Sequence, residues 1–115
     1  MLSWAAPVQI YLARGTTDLR RSVDGLAGLV RNAMERDPFS GHLFVFCNRR
    51  RDRVKILVFE SSGFWVLYKR LEKGTFAWPD GEAGSVSMTG PELTLLLSGI
   101  DLRGARRRRW YRRAA

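Results

Sequence analysis

The sequence predicts an α+β fold in which an antiparallel β-meander of four to five strands packs against one main helix, followed by a short C-terminal helix and a basic tail. Three β-rich runs follow one another between residues 43 and 70, and one stretch of helical periodicity precedes them. With 45% of its 115 residues apolar, the chain can bury about two thirds of its unfolded surface in one core. We therefore expect residues 1–102 to form a single domain and residues 103–115 to form the tail.

The first elements are a strand and a helix. Residues 8–12 are rich in β-forming side chains. Over residues 19–34, apolar positions recur at intervals of three and four, as one face of a helix requires, and Pro38 follows as a stop. Gly25 and Gly28 lie inside this pattern, and each costs about 1 kcal/mol relative to alanine. We expect packing or the close approach of a neighbouring element to compensate.

The meander is predicted from residues 43–47, 54–60 and 64–70, which polar stretches separate. Both alternating faces of the second run are largely apolar, so it should be the central strand, with the helix over one face. Weaker strand signals lie at residues 75–78 and 85–88. A capping-box pattern from Thr89 to Glu92 then predicts a short helix that Gly99 ends.

Composition argues against several kinds of active site. His42 is the single histidine and Cys47 the single cysteine, so a four-ligand zinc site is excluded and a catalytic triad would depend on one imidazole. We interpret His42 as a surface or half-buried residue at a strand start, and Cys47 as a buried packing residue. Asp18 and Asp24 are six residues apart and do not share a helix face, so we interpret Asp18 as a helix cap or first-turn acid. We expect no catalytic residue, metal, cofactor or small-molecule substrate.

Location also follows from composition. No stretch approaches the roughly 20 consecutive apolar residues of a membrane helix, and residues 1–8 lack the pattern of a signal peptide. A single cysteine agrees with a reducing compartment. We expect a cytoplasmic protein without a membrane partner.

Positive charge is the most informative property of the chain. Twenty Lys and Arg stand against eleven Asp and Glu, a net charge of +9, and seven of the arginines lie in the acid-free tail. Two adjacent aromatic residues interrupt the arginines of the tail, which suits phosphate pairing combined with base stacking. The alternative is a disordered basic end whose aromatic residues only pack on the domain. Its candidate nucleic-acid-binding residues are Arg106, Arg107, Arg108, Arg109, Trp110, Tyr111, Arg112 and Arg113.

A second basic cluster is predicted at a hairpin. Arginines surround the turn between the first two meander strands, and antiparallel pairing would place the basic end of the third strand beside them, giving one continuous basic edge. A solvated turn whose charges prevent edge pairing explains the cluster equally well. The candidate residues are Arg49, Arg50, Arg51, Arg53, Lys55, Lys69, Arg70 and Lys73.

Several stretches resemble one protein family in the order in which they occur. They are TDLRRSVDGL at residues 17–26, DPFSGHLFVF at 37–46, RDRVKIL at 51–57, YKRLEKGTFAWP at 68–79 and LLLSGID at 95–101. Together they resemble the TnpB accessory protein of the insertion-sequence family numbered sixty-six, over about residues 9–101. Leu19, Ser22-Val23 and Phe59-Glu60 depart mildly from that family's pattern, and the arginine tail lies outside the best-matched part.

The resemblance implies a helper of transposition that is encoded beside a separate transposase and has no established catalytic residue. The name shared with RNA-guided nucleases does not extend to activity, because those enzymes are much larger and carry acidic nuclease motifs that this chain lacks. The implied partners are DNA and the transposase or other proteins of the same element.

Three function classes remain. The first is a non-catalytic accessory protein that binds the DNA backbone without reading sequence, through the basic hairpin edge and the tail. The alternative is a protein adaptor whose sheet, or whose residues 18–26, bind the transposase, while the arginines add solubility or contact an acidic partner. The third, with the least support, is a metal-dependent nuclease using Asp18 and Asp24. Candidate partner-binding residues are Asp18, Arg20, Arg21 and Asp24.

Overall fold

The computed structural model describes residues 7–82 and 84–99. The predicted basic tail, with Arg106 to Arg113, lies outside these residues. The elements, in chain order, are β1 (Ile10–Ala13), α1 (Val23–Asn32), β2 (Leu43–Cys47), β3 (Arg53–Glu60), β4 (Gly63–Arg70), β5 (Ser85–Met88) and α2 (Gly90–Leu97). Within these described ranges, neither helix is long and apolar enough to cross a membrane.

The five strands form one mixed sheet in the order β4-β3-β2-β1-β5. Strands β2, β3 and β4 form the expected antiparallel meander, but β1 runs parallel to β2, with Ile10 opposite Leu43. The prediction of a wholly antiparallel sheet is therefore wrong. Parallel neighbours require a long crossover connection, and the segment that contains α1 supplies it. Strand β5 then pairs antiparallel with the other side of β1. The central strand is therefore β2, and not β3 as the sequence had predicted, and β3 lies between β2 and the β4 edge.

Each face of the sheet has its own core. On one face, Leu26 and Val30 of α1 pack against Phe44, Phe46 and Leu57, all of which are buried. The opposite core joins residues of β1, β2 and β3 to α2 and to two aromatic side chains: Ile10, Leu12, Val45, Cys47, Val54, Ile56, Phe76, Trp78, Leu93 and Leu96. The chain thus has two helices, as predicted, and the short C-terminal helix α2 covers the face that α1 leaves.

Residues 75–78 do not form the strand that the sequence suggested. The Phe76 amide donates to the Arg51 carbonyl at 2.6 Å, and the Trp78 indole Nε1 donates to the Ala13 carbonyl at 2.9 Å. These bonds tie the segment to a loop and to a strand end instead of to a β-ladder. Both aromatic side chains are buried, so the segment serves as a plug in the α2-side core.

The segment before α1 is a turn and not the first turn of the helix. The Arg21 amide donates to the Asp18 carbonyl, and the Asp18 carboxylate accepts from the Arg20 amide at 3.0 Å. The helix begins only at Val23, with Ser22 as its N-cap. Asp18 therefore does not cap α1, contrary to the sequence interpretation. At α2, the predicted capping box is confirmed by reciprocal bonds between Thr89 and Glu92.

The two glycines of α1 differ in their surroundings, which gives a stability prediction. A Cβ built on Gly25 would lie 3.0 Å from the Arg21 Cβ, whereas one on Gly28 would meet nothing within 4 Å. We expect Gly28→Ala to raise the free energy of unfolding by about 0.5–1 kcal/mol, because it removes the entropy cost of glycine without a clash. Urea denaturation measures the change.

Gly25→Ala is the matched control, and its gain should be reduced or reversed. An equal gain from both substitutions would show that the approach of Arg21 does not require glycine in α1.

Candidate nucleic-acid interface

The loop between β2 and β3 is braced by one asparagine. The Asn48 Oδ1 accepts from the amides of Asp52 and Arg53 at 3.1 and 2.9 Å, while its Nδ2 donates to the Asp52 carboxylate at 2.8 Å. This last bond, together with nearby arginines, holds the pKa of Asp52 below its usual value. Arg49 and Arg50 lie exposed at the tip of the loop. The loop thus presents two cations on a backbone that the bonds of Asn48 to Arg51, Asp52 and Arg53 hold in place.

Arg51 differs from its neighbours, because its contacts are internal to the fold. Its φ of 60° places it in the left-handed region, and its guanidinium bonds the Trp78 carbonyl and, at 2.7 Å, the Asp80 carboxylate. Its own carbonyl accepts from Phe76. These contacts secure the aromatic plug, so Arg51 has a structural task that its place in an arginine run did not indicate.

The register of β3 and β4 places Arg53 opposite Arg70 and Val54 opposite Lys69. The two groups of basic residues therefore adjoin, as the antiparallel pairing predicted. Side chains alternate across a sheet, however, so Arg53 and Arg70 share the α1 face while Lys69 lies on the α2 face, beside Leu97. We call this part of the molecule the basic end of the sheet; it comprises Arg49, Arg50, Arg53, Lys55, Lys69, Arg70 and Lys73.

An open cleft of about 510 Å³ adjoins the basic end on the α1 face. We call it the basic cleft. The Lys55 Nζ donates to the Arg21 carbonyl at 3.0 Å, which joins the turn before α1 to β3 across the cleft. Its lining residues are Asp18, Leu19, Arg20, Asn48, Arg53, Lys55 and Tyr68.

One acid lies among the cations of the basic cleft. The Asp18 carboxylate forms an ion pair with Arg20 at 2.7 Å, and hydrogen bonds from Arg20 lower the pKa of Asp18 to about 2. The carboxylate is therefore charged at neutral pH and offsets the charge of Arg20. Of the four residues predicted for partner binding, Asp18 and Arg20 line the cleft. The carbonyl of Arg21 accepts the hydrogen bond from Lys55. Asp24 lies exposed in the first turn of α1 and does not line the cleft.

Sequence reasoning did not identify the basic cleft or Tyr68 as part of it. Lys55 could have indicated the cleft, because it shares a strand face with the apolar Leu57 and so needs a polar partner close to the core. Its partner is a backbone carbonyl of the turn before α1, which only tertiary packing brings near.

The single histidine and the single cysteine, the residue types that could serve in catalysis, both make packing or hydrogen-bond contacts within the fold. The His42 Nδ1 accepts from the Gln9 amide at 3.1 Å, and its half-buried ring contacts Tyr11 edge-on immediately before β2. Cys47 is fully buried, as expected, and burial raises the pKa of its thiol to about 12. Over residues 7–82 and 84–99, no three His, Cys, Asp or Glu side chains are grouped so that they could hold a metal ion.

Cys47 should therefore resist modification in the folded protein. The thiolate is the reactive form, and a buried thiol with a pKa of about 12 yields almost none at about pH 8. We expect alkylation by iodoacetamide to be roughly a thousandfold or more slower without denaturant than in urea, since it must wait for unfolding. Mass spectrometry of the labelled fraction measures both rates. Equal rates would show that Cys47 is accessible in the native state.

Comparison with known proteins identifies one family and two relatives. The sequence model of the family described as IS66 Orf2 like protein matches residues 8–107. Two proteins of Sinorhizobium fredii, y4hO and y4jC, both described as uncharacterized, are similar to the chain. The first is 36% identical over 103 residues, which cover 90% of each chain. The second is 35% identical over 101 residues, covering 88% of this chain and 86% of the relative. No solved structure is significantly similar.

Proposed function

Because the chain belongs to the IS66 Orf2-like family, whose role is that of an accessory in insertion-sequence transposition, we propose that it binds the DNA backbone without reading its sequence and performs no chemistry itself. Its partners in this proposal are DNA and the transposase or other proteins of the same element. The function requires no cofactor.

The observation that carries the proposal is the convergence of cations at one end of the sheet. The Asn48-braced loop presents Arg49 and Arg50, and the adjoining ends of β3 and β4 add Arg53, Lys55 and the basic side chains of β4. A braced loop holds cations at fixed spacing, which lowers the entropy cost of pairing them with phosphates. Arg70 is partly neutralised by Glu72 at 2.8 Å, so the loop arginines should contribute most.

The tail supplies the second part of the proposed interface. Residues 103–115 hold seven arginines and no acid, with Trp110 and Tyr111 among them. If about five of these arginines neutralise phosphates, the log of affinity should fall against the log of salt concentration with a slope near −4.5.

The test compares the full chain with a version that ends at Leu102. Both are titrated with duplex and single-stranded DNA across a salt series, with and without magnesium. We expect tighter binding and a steeper salt slope for the full chain, and no cleavage. Negligible binding by both forms at low salt would overturn the proposal, and magnesium-dependent cleavage would show that the protein is an enzyme.

A protein adaptor is the second candidate, and the outer edge of the sheet favours it. Strand β4 has β3 as its neighbour on one side and ends the strand order on the other. Its Trp65 and Leu67 are 48% and 41% exposed. Such an edge can accept a strand from another protein. Pull-down by the transposase of the same element, lost on Leu67→Lys and retained at high salt, would support this function.

A further inference from the structure

The basic cleft has the size and lining of a ligand site. Its volume of about 510 Å³ falls within the roughly 300–1,000 Å³ of small-molecule pockets. Arg53 and Lys55 lie on β3, and Tyr68 lies directly opposite Lys55 on β4. Cationic groups and an aromatic ring therefore border the same space.

Tyr68 is the most exposed large apolar side chain among the residues that the structure describes. It is 55% exposed. Phe39 is similarly exposed, but it packs with Phe59 and Phe64 at ring-centroid distances of 5.1 and 5.2 Å. Trp65 donates its indole Nε1 to Glu60. Over residues 7–82 and 84–99, the Tyr68 ring pairs with no other aromatic ring, and more than half of the residue is exposed to solvent.

The charges of the cleft set where a phosphate can bind. Asp18 pairs closely with Arg20 at 2.7 Å, whereas the Asp52 carboxylate lies 4.0 Å from the Arg53 guanidinium, so an anion is favoured on the Arg53 and Lys55 side. Tyr68 adjoins Lys55 on the same face of the sheet. A phosphate held by Arg53 and Lys55 would therefore bring its own nucleotide's base next to an exposed phenol ring.

We propose that the basic cleft holds one unpaired nucleotide of single-stranded DNA, with its base stacked on Tyr68 and its phosphate bound by Arg53 and Lys55. The inference rests on the proposed function and narrows it. Bases of a duplex are stacked inside the helix and cannot reach a ring within a cleft, whereas a single strand can turn a base outward. Full-chain protein should therefore prefer single strands at this site, while the loop arginines and the tail bind both forms.

The experiment uses the full chain and an oligodeoxythymidine of about 12 nucleotides, with a duplex of equal length as the second probe. Tyr68→Ala should weaken single-strand binding by about tenfold, within the range found for loss of base stacking, and leave duplex binding unchanged. Tyr68→Phe should bind as the wild type does, because it keeps the ring. Leu67→Ala is the matched control, since Leu67 is comparably exposed on the same strand but faces the opposite side of the sheet.

The outcomes separate the inference from the function beneath it. If Tyr68→Ala lowers the affinity for both probes equally, or for neither, the inference is overturned. The proposed function still stands in that case, provided that the wild type binds the duplex. A wild type that binds neither probe overturns both. Slow alkylation of Cys47 in each variant verifies that it is folded.

Discussion

Replacing Trp78 with alanine is expected to lower the free energy of unfolding by about 3–5 kcal/mol, the range of large aromatic truncations in a core. Trp78 is 4% exposed and packs in the α2-side core with Leu93 and Leu96. The substitution also removes the indole bond to the Ala13 carbonyl, which leaves a buried acceptor without its partner. Urea denaturation followed by circular dichroism gives the change.

Trp78→Phe is the matched control. It keeps most of the ring volume and removes the indole donor, so it should cost about 1–2 kcal/mol. Cys47 lies in the same core, and its alkylation rate should rise in the alanine variant as the unfolded population grows. A loss below about 1 kcal/mol for Trp78→Ala would show that residues 75–78 are not the plug described here.

The second large effect is expected on DNA binding. Replacing Arg49 and Arg50 together with alanine should flatten the slope of log affinity against log salt by about 1.8, because two phosphate contacts are lost. At about 0.1 M salt the corresponding loss of affinity is roughly tenfold to sixtyfold. Both side chains are exposed at the loop tip, while Asn48 and the loop backbone make the bonds that hold the loop. The fold should therefore be unaffected.

A control of equal charge decides whether position matters. Arg31 and Arg36 lie in the last turn of α1 and just after it, both exposed, and neither lines the basic cleft. Their double alanine variant lowers the net charge by the same two units. Equal losses from the two pairs would mean that net charge alone attracts DNA and that the basic end of the sheet is no particular site.

Local sequence signals predicted local structure well. The apolar run of residues 43–47 became β2 with the same bounds, and the Thr89 and Glu92 capping box starts α2. Their signals lie within a few residues, so neighbours in the chain determine them. The parallel pairing of β1 with β2 was missed, although a strand, a helix and a strand in succession favour it. Phe76 and Trp78 alternate as strand residues do, but their partners are a loop carbonyl and a strand end.

The sequence predicted which basic residues form the candidate site, but not how their side chains are arranged. Antiparallel pairing correctly predicted that the basic ends of β3 and β4 adjoin. Charge alone could not distinguish Arg51, which secures Asp80 and the plug, from Arg49 and Arg50 at the tip. Nor could it show Asp18 offsetting Arg20, since exposed ion pairs depend on how a turn folds. The Arg51 contacts are tertiary, and the Asp18–Arg20 pair, although local, depends on the conformation of its turn.

The most direct test of DNA binding at the basic end is an amide chemical-shift map of the isotope-labelled full chain, titrated with short DNA at low ionic strength. The proposed function predicts that perturbed amides cluster at residues 48–55 and 68–73 and within the arginine tail, and that added salt reverses the shifts. A spectrum that DNA leaves unchanged, or shifts confined to the outer edge of β4, would contradict it.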